Sequence, residues 1–146
     1  MSLHRNPDQW KLLVDDPSLA RPAVDELLRY DNPGQATARV VMKDVELGGK
    51  KIPQGSMVLC CIGAANRDPE AFDNPDQLNI LAGKRRPITF GGGAHICVGQ
   101  SIAKNELRIA LELFARECPN MQLETLHPEF RPTNLMRCIK SLNISW

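Results

Sequence analysis

The chain has 146 residues, a length at which one domain buries well over half of the surface its unfolded form exposes. Its 18 basic and 17 acidic side chains leave a formal net charge of +1, so overall charge gives no reason to expect nucleic acid or an anionic membrane as a partner. Five cysteines (Cys60, Cys61, Cys97, Cys118 and Cys138) are odd in number and lack paired C-x-x-C spacing, which argues against a disulfide framework and against a zinc ribbon.

The opening MSLHRNPDQW lacks the long apolar stretch of a signal peptide, and no apolar run approaches the roughly 20 residues that cross a bilayer; a cytoplasmic protein is expected. Asn6-Pro7-Asp8 predicts a helix start, followed by Trp10, Leu13 and Val14 at helical spacing and a stop by Asp16-Pro17. A second helix is predicted over 22–30, where Val24, Leu27 and Leu28 share one face and Glu26 and Arg29 lie three apart on another. Taken alone, that pair reads as an ordinary exposed helix pair. Asn32-Pro33-Gly34 ends the helix.

Alternation over Thr37–Val41 and Val45–Leu47, the Gly48-Gly49 turn and the return at Lys51-Ile52 predict a small antiparallel sheet within 36–62. The apolar run Met57–Ile62 reads as a buried strand of it. A proline-broken polar stretch over 66–88 has no clear period, and a connection so long is usually functional or held by what it wraps. After a glycine-rich loop at 90–99, a long amphipathic helix is predicted over 100–117 with Ile102, Leu107, Ala110, Leu111 and Phe114 inward, then short strands within 120–145. The fold class is α+β.

The loop FGGGAHICVG places Cys97 between glycines, just ahead of the long helix. Unpaired N–H groups at a helix start favour a thiolate over a thiol, and glycines let the backbone bend around a flat, bulky ligand and aim amides at the sulfur. Gly91-Gly92-Gly93 could instead cradle phosphate, but Gln100 stands where such a loop needs a lysine. Cys97 with His95 could form a nucleophile pair, yet no third orienting group is evident, and His95 on its own would be a solvated loop residue.

Phe90-x-x-Gly93-x-His95-x-Cys97-x-Gly99, followed by Ala103 and Glu106, resembles the haem-binding loop of the cytochrome P450 superfamily. Glu26-Leu27-Leu28-Arg29 is similar to that family's E-x-x-R helix, Arg39 lies at the start of the small sheet, and Asn66-Arg67-Asp68-Pro69 lies in the meander at 66–88. Order and separations resemble those of soluble bacterial members over nearly the whole chain. The resemblance implies the C-terminal portion of that fold, haem b as cofactor and Cys97 as axial iron ligand. It further implies that Arg39 and His95 reach the haem propionates, that Phe90 packs close to the sulfur, and that Gly91, Gly99 and Ala103 complete the cofactor-binding set. Glu26 and Arg29 would be a buried structural pair that fixes the meander. Thiolate ligation donates electron density that favours O–O cleavage.

The activity implied is that of a monooxygenase acting on a small organic substrate, with electrons from NAD(P)H through separate carriers, and neither nucleic acid nor a membrane as partner. Lys84, Arg85 and Arg86, with Lys104 and Arg108 beyond the loop, suggest a basic patch for an acidic ferredoxin-type donor. Two departures from the family pattern stand out. Gln77 occupies the place of an arginine that often completes a triad with the E-x-x-R pair, which predicts a looser meander. The distal helix of the family would lie before Met1, which predicts one wet face of the haem, apolar surface uncovered on the second and the long helix, and, as the alternative function, a truncated, non-catalytic haem-binding or partner-binding fragment.

Overall fold

The computed structural model describes residues 1–82, 86–133 and 135–146. It begins with α1 (Ser2–Arg5), α2 (Pro7–Asp15), a single 3-10 turn (Pro17–Leu19) and α3 (Ala20–Tyr30). Pro7 opens α2 where its missing N–H costs nothing, and the Asp16 carboxylate accepts from Ser18 N–H at 3.0 Å and from its hydroxyl at 2.6 Å to start the next turn. α1 was not foreseen, since four residues carry no period. Tertiary contacts hold it: Leu3 is buried, Ser2 Oγ donates to Asp31 Oδ2 at 2.7 Å, and the His4 ring stacks on Trp10 at 5.6 Å.

The region expected as one sheet is two separate ribbons. β1 (Thr37–Val40) pairs antiparallel with β4 (Met57–Cys60), and β2 (Val45–Leu47) pairs with β3 (Lys50–Ile52) through Gly48 and Gly49, whose φ angles of +55° and +74° suit a tight hairpin turn. The reading of β4 as a buried strand fails: Met57 is 76% exposed and Leu59 52%. A two-stranded ribbon has two faces, and little packs against either of them. At the other end β5 (Gln122–Leu123) pairs with β6 (Ile144–Ser145), and bridges join Phe130 to Ile139 and Gly34 to Met136; Asn134, expected near the start of a strand, lies outside the described residues.

α4 (Ile62–Ala65) is one turn, and α5 (Gln100–Glu117) has the bounds predicted for the long helix. The core gathers Leu3, Leu13, Ala20, Ala23, Leu78, Ile80 and Ala115 from α1, α2, α3, the meander and α5. The inward face predicted for α5 is narrower than expected. Ala110 and Leu111 are half-buried and Ala115 is buried, but Ile102, Leu107 and Phe114 are exposed, because α2, α3 and the 3-10 turn cover only one side of the helix. On α3 the expectation of an uncovered apolar face is also corrected: Val24 and Leu28 are buried. Among the described residues no helix is long and apolar enough to cross a membrane.

The buried pair on α3 organises the meander. Arg29 Nε and Nη2 donate to the two Glu26 carboxylate oxygens at 2.8 and 2.9 Å, with both side chains less than a tenth exposed. Nη1 donates to the carbonyls of Asn66 (3.0 Å) and Pro75 (2.7 Å), and Nη2 also donates to that of Gln77 (3.0 Å). A guanidinium has five N–H donors, and these five bonds use them all. Glu26 in turn accepts Asn79 N–H at 3.0 Å, and the guanidinium carbon lies 5.4 Å from the Phe72 ring centroid. The reading of this pair as an exposed helix pair is therefore wrong. Gln77 does not loosen the meander in the way expected, because the tie runs through its backbone carbonyl while its side chain faces solvent.

Two outcomes follow. Arg29→Ala should cost about 3–5 kcal/mol, the range for removing one partner of a buried pair, and Arg29→Lys should recover only part of it, since a point charge cannot serve five acceptor directions; urea denaturation midpoints measure both. The exposed Leu47 and Leu113 predict concentration-dependent self-association in sedimentation velocity, weakened by Leu47→Lys with Leu113→Lys.

Candidate cofactor site

The loop ahead of α5 is shaped by backbone bonds of its own. Gly91 and Gly93 have φ of +72° and +60°, a region that side chains resist, and a β-carbon on Gly91 would lie 3.3 Å from the His95 carbonyl oxygen. From Gly93 the chain runs through a 3-10 turn at Gly93–His95, and Cys97 N–H donates back to Phe90 O at 2.8 Å. Gln100 N–H then donates to Cys97 O at 3.2 Å as α5 begins.

The Cys97 thiol emerges from this turn onto the surface. Among the described residues no hydrogen bond ends on its sulfur, and the amides of Ile96, Cys97 and Gln100 are engaged in the turns of the loop itself. Gly99 keeps a small space beside the sulfur, where a β-carbon would make ordinary contact at 3.9 Å. Ile96, Val98 and Ile102 are exposed around the cysteine.

The expected site residues fall into two groups. Phe90 and Ala103 come together, lining a cleft of about 540 Å³ with Leu28, Thr89, Leu107 and Ala110, while exposed Gly91, His95 and Cys97 and half-buried Gly99 form the loop beside them. Arg39 is on β1, where Nη1 donates to Thr37 Oγ1 (2.9 Å) and Ala38 O (2.8 Å) and the side chain stays exposed. One open thiol, exposed apolar side chains around it, and an exposed guanidinium and imidazole make a donor set that fits haem: a soft ligand for iron, apolar contact for the ring and partners for its carboxylates.

The basic patch is only partly free. Lys84 and Arg85 lie outside the described residues, Lys104 Nζ is 2.6 Å from Asp25 Oδ1 without the alignment of a hydrogen bond, and Arg108 Nη1 donates to both Glu112 oxygens at 2.8 and 2.9 Å. Arg86 is exposed.

Two residues that connect the loop to the rest of the fold had no role assigned from sequence. Asn66 is fully buried, donates from Nδ2 to Thr89 Oγ1 at 3.0 Å and accepts Ile88 N–H on Oδ1 at 2.9 Å. Thr89 Oγ1 donates to Leu28 O at 2.8 Å. A polar residue in an aperiodic stretch carries no pattern that foretells burial; the one available hint was its place in the Asn66-Arg67-Asp68-Pro69 motif.

Residues 3–140 match the family model described as Cytochrome P450. The chain is 36% identical over 146 residues to a biotin biosynthesis cytochrome P450 of Bacillus subtilis (strain 168), and 36% identical over 149 residues to nocardicin C N-oxygenase of Nocardia uniformis subsp. tsuyamanensis. These alignments cover 100% and 99% of this chain but 37% of each relative, so the chain spans little more than a third of their length. Among solved structures, P450BioI in complex with a fatty-acid-ligated acyl carrier protein superposes with a TM-score of 0.94 at 37% identity, over 99% of this chain and 37% of that one. CalO2 gives a TM-score of 0.94 at 36% identity with the same coverage. A buried glutamate–arginine pair tying down the meander, a glycine-bent loop presenting one open thiol ahead of a long helix, and a family match over nearly the whole sequence lead to one conclusion: the chain belongs to the cytochrome P450 family, whose cofactor is haem.

Proposed function

We propose that this chain carries the haem-thiolate part of a monooxygenase, an oxidoreductase that inserts one atom of dioxygen into a small organic substrate. The observation that carries the reading is the Cys97 thiol, held open on a loop tied back on itself by the bond from Cys97 N–H to Phe90 O and flanked by exposed apolar side chains. When bound, haem would supply the reductive cleavage of dioxygen, with the second oxygen atom leaving as water.

In this reading Cys97 would hold the haem iron through its thiolate, which would supply electron density to it. Arg39 would pair with a propionate through its guanidinium, giving up its bonds to Thr37 Oγ1 and Ala38 O for a charge-assisted pair. His95, exposed in the 3-10 turn, would donate to a propionate. Phe90 would pack beside the sulfur and exclude water, while Gly91, Gly99 and Ala103 would keep side-chain bulk away from the ring. Electrons come from NAD(P)H through separate carriers, the last a ferredoxin-type protein steered by Lys84, Arg85 and Arg86 with Lys104 and Arg108, the last two partly offset by Asp25 and Glu112. A cytoplasmic setting suits such soluble carriers.

A second reading, a haem-binding or partner-binding fragment without turnover, is favoured by the exposure of Val98 and Ile102 beside the loop and of Leu113 and Phe114 further along α5. Oxygen activation needs water excluded from both faces of the ring, and these side chains are in solvent.

The reduced, haem-reconstituted chain should give a carbon monoxide difference spectrum with a red-shifted, thiolate-type band that vanishes in Cys97→Ser. Haem uptake without that band, or no uptake, removes the proposal; a band without product formation selects the second reading. Arg39→Ala and His95→Ala should each speed haem loss by about 10- to 100-fold, the worth of a hydrogen bond to a charged group, as measured by transfer to a haem-scavenging globin. Reversing Arg85 and Arg86 to glutamate should slow reduction by an acidic ferredoxin at low salt and flatten its salt dependence; unchanged kinetics would rule out docking there.

A further inference from the structure

The last intrahelical-type bond at the end of α3 runs from Asp31 N–H to Leu27 O at 2.9 Å, which leaves the following carbonyls to be satisfied from outside the helix. Two distant segments do this. Arg67, in the meander, donates to Tyr30 O from Nε at 3.2 Å and from Nη2 at 2.5 Å, with its guanidinium 4.1 Å from the Tyr30 ring centroid. Thr89 donates its hydroxyl to Leu28 O at 2.8 Å.

Thr89 immediately precedes Phe90, and Phe90 O is the acceptor for Cys97 N–H at 2.8 Å. The hydroxyl is itself fixed, because it accepts from Asn66 Nδ2 at 3.0 Å. Asn66 is held in turn by Ile88 N–H on Oδ1 at 2.9 Å and by Arg29 Nη1 on its carbonyl at 3.0 Å. A continuous set of hydrogen bonds thus leads from the Glu26–Arg29 pair through Asn66 to Thr89, one residue from the backbone bond that closes the cysteine loop.

We propose that Thr89 is a positioning residue for Cys97: its hydroxyl fastens the entrance of the loop to the C-terminal end of α3 and thereby sets where the sulfur stands. The claim about the sulfur as a ligand rests on the haem-thiolate reading above, but the anchoring of the loop does not. Removing the hydroxyl leaves Leu28 O and Asn66 Nδ2 without a partner in a largely buried place and frees the Phe90 carbonyl to move, so the loop opens more often. Serine keeps the donor and the acceptor and should restore the anchor.

The test is native-state amide hydrogen exchange on the full chain without haem. In Thr89→Val the Cys97 amide should exchange about tenfold faster than in the parent, the effect of one lost buried hydrogen bond, while the Leu111 amide within α5 keeps its rate. Thr89→Ser should return Cys97 to the parent rate. Thr89→Ala, which removes the hydroxyl without placing a methyl group against the Leu28 carbonyl, gives a second variant should valine unfold the chain. Exchange at Cys97 within twofold of the parent in a folded variant, or equal acceleration at Leu111, overturns the proposal, the latter because it would mark a general loss of stability. A second arm measures the thiolate-type band of the haem-reconstituted variants, expected to fall in Thr89→Val and to recover in Thr89→Ser. Failure of the parent chain to take up haem would sink the haem-thiolate reading, whereas the exchange rates would still decide the anchor.

Discussion

One guanidinium organises this molecule. Arg29 has five N–H groups and nowhere to shed its charge, so in a buried place it demands both a carboxylate and further acceptors. Glu26, one helical turn earlier, meets the first demand. The carbonyls of Asn66, Pro75 and Gln77 meet the second, and since they come from a stretch without regular structure, the helix determines the path of the meander around it. Lysine would present a compact ammonium with three donors and leave at least two of those five acceptor sites unserved.

From that centre the polar network extends outward in a definite direction. Asn66 converts a contact with Arg29 into contacts with Ile88 and Thr89, and Thr89 closes on the end of α3. The cysteine loop therefore hangs from a buried, fully bonded framework at its entrance and from α5 at its exit, although its own residues are exposed. Such an arrangement leaves the thiol open at the surface while the ends of the loop are fixed. Glycines at positive φ let the loop turn, and the network keeps the turn in place.

Apolar packing is distributed unevenly about this framework. The cluster around Leu13, Ile80 and Ala115 joins α1, α2, α3, the meander and α5 into one core, yet β4 and the outer side of α5 carry exposed Met57, Leu59, Ile102 and Leu113. Core and exposed apolar surface meet at the cleft lined by Leu28, Phe90, Ala103 and Leu107, next to the loop that presents Cys97. Chemistry and unsatisfied surface thus lie on neighbouring parts of the molecule, which is where a large flat cofactor would bury both.

Local patterns in the sequence determined the bounds of α5, the start of α2 at Pro7, the hairpin turn at Gly48-Gly49 and the isolation of Cys97 among glycines, because each depends on residues within one or two turns of one another. The family motif singled out Glu26, Arg29 and the cysteine loop, and with them the cytochrome P450 membership. Tertiary structure alone decided burial. Periodicity put Met57, Leu59 and Phe114 inside and would have left Glu26 and Arg29 outside, and all of these were reversed, since a side chain's exposure depends on which neighbours cover it and not on its spacing. The same holds for Asn66 and Thr89, whose partners lie between 22 and 61 residues away along the chain; no local rule relates residues so distant until the fold has brought their hydrogen-bonding groups together.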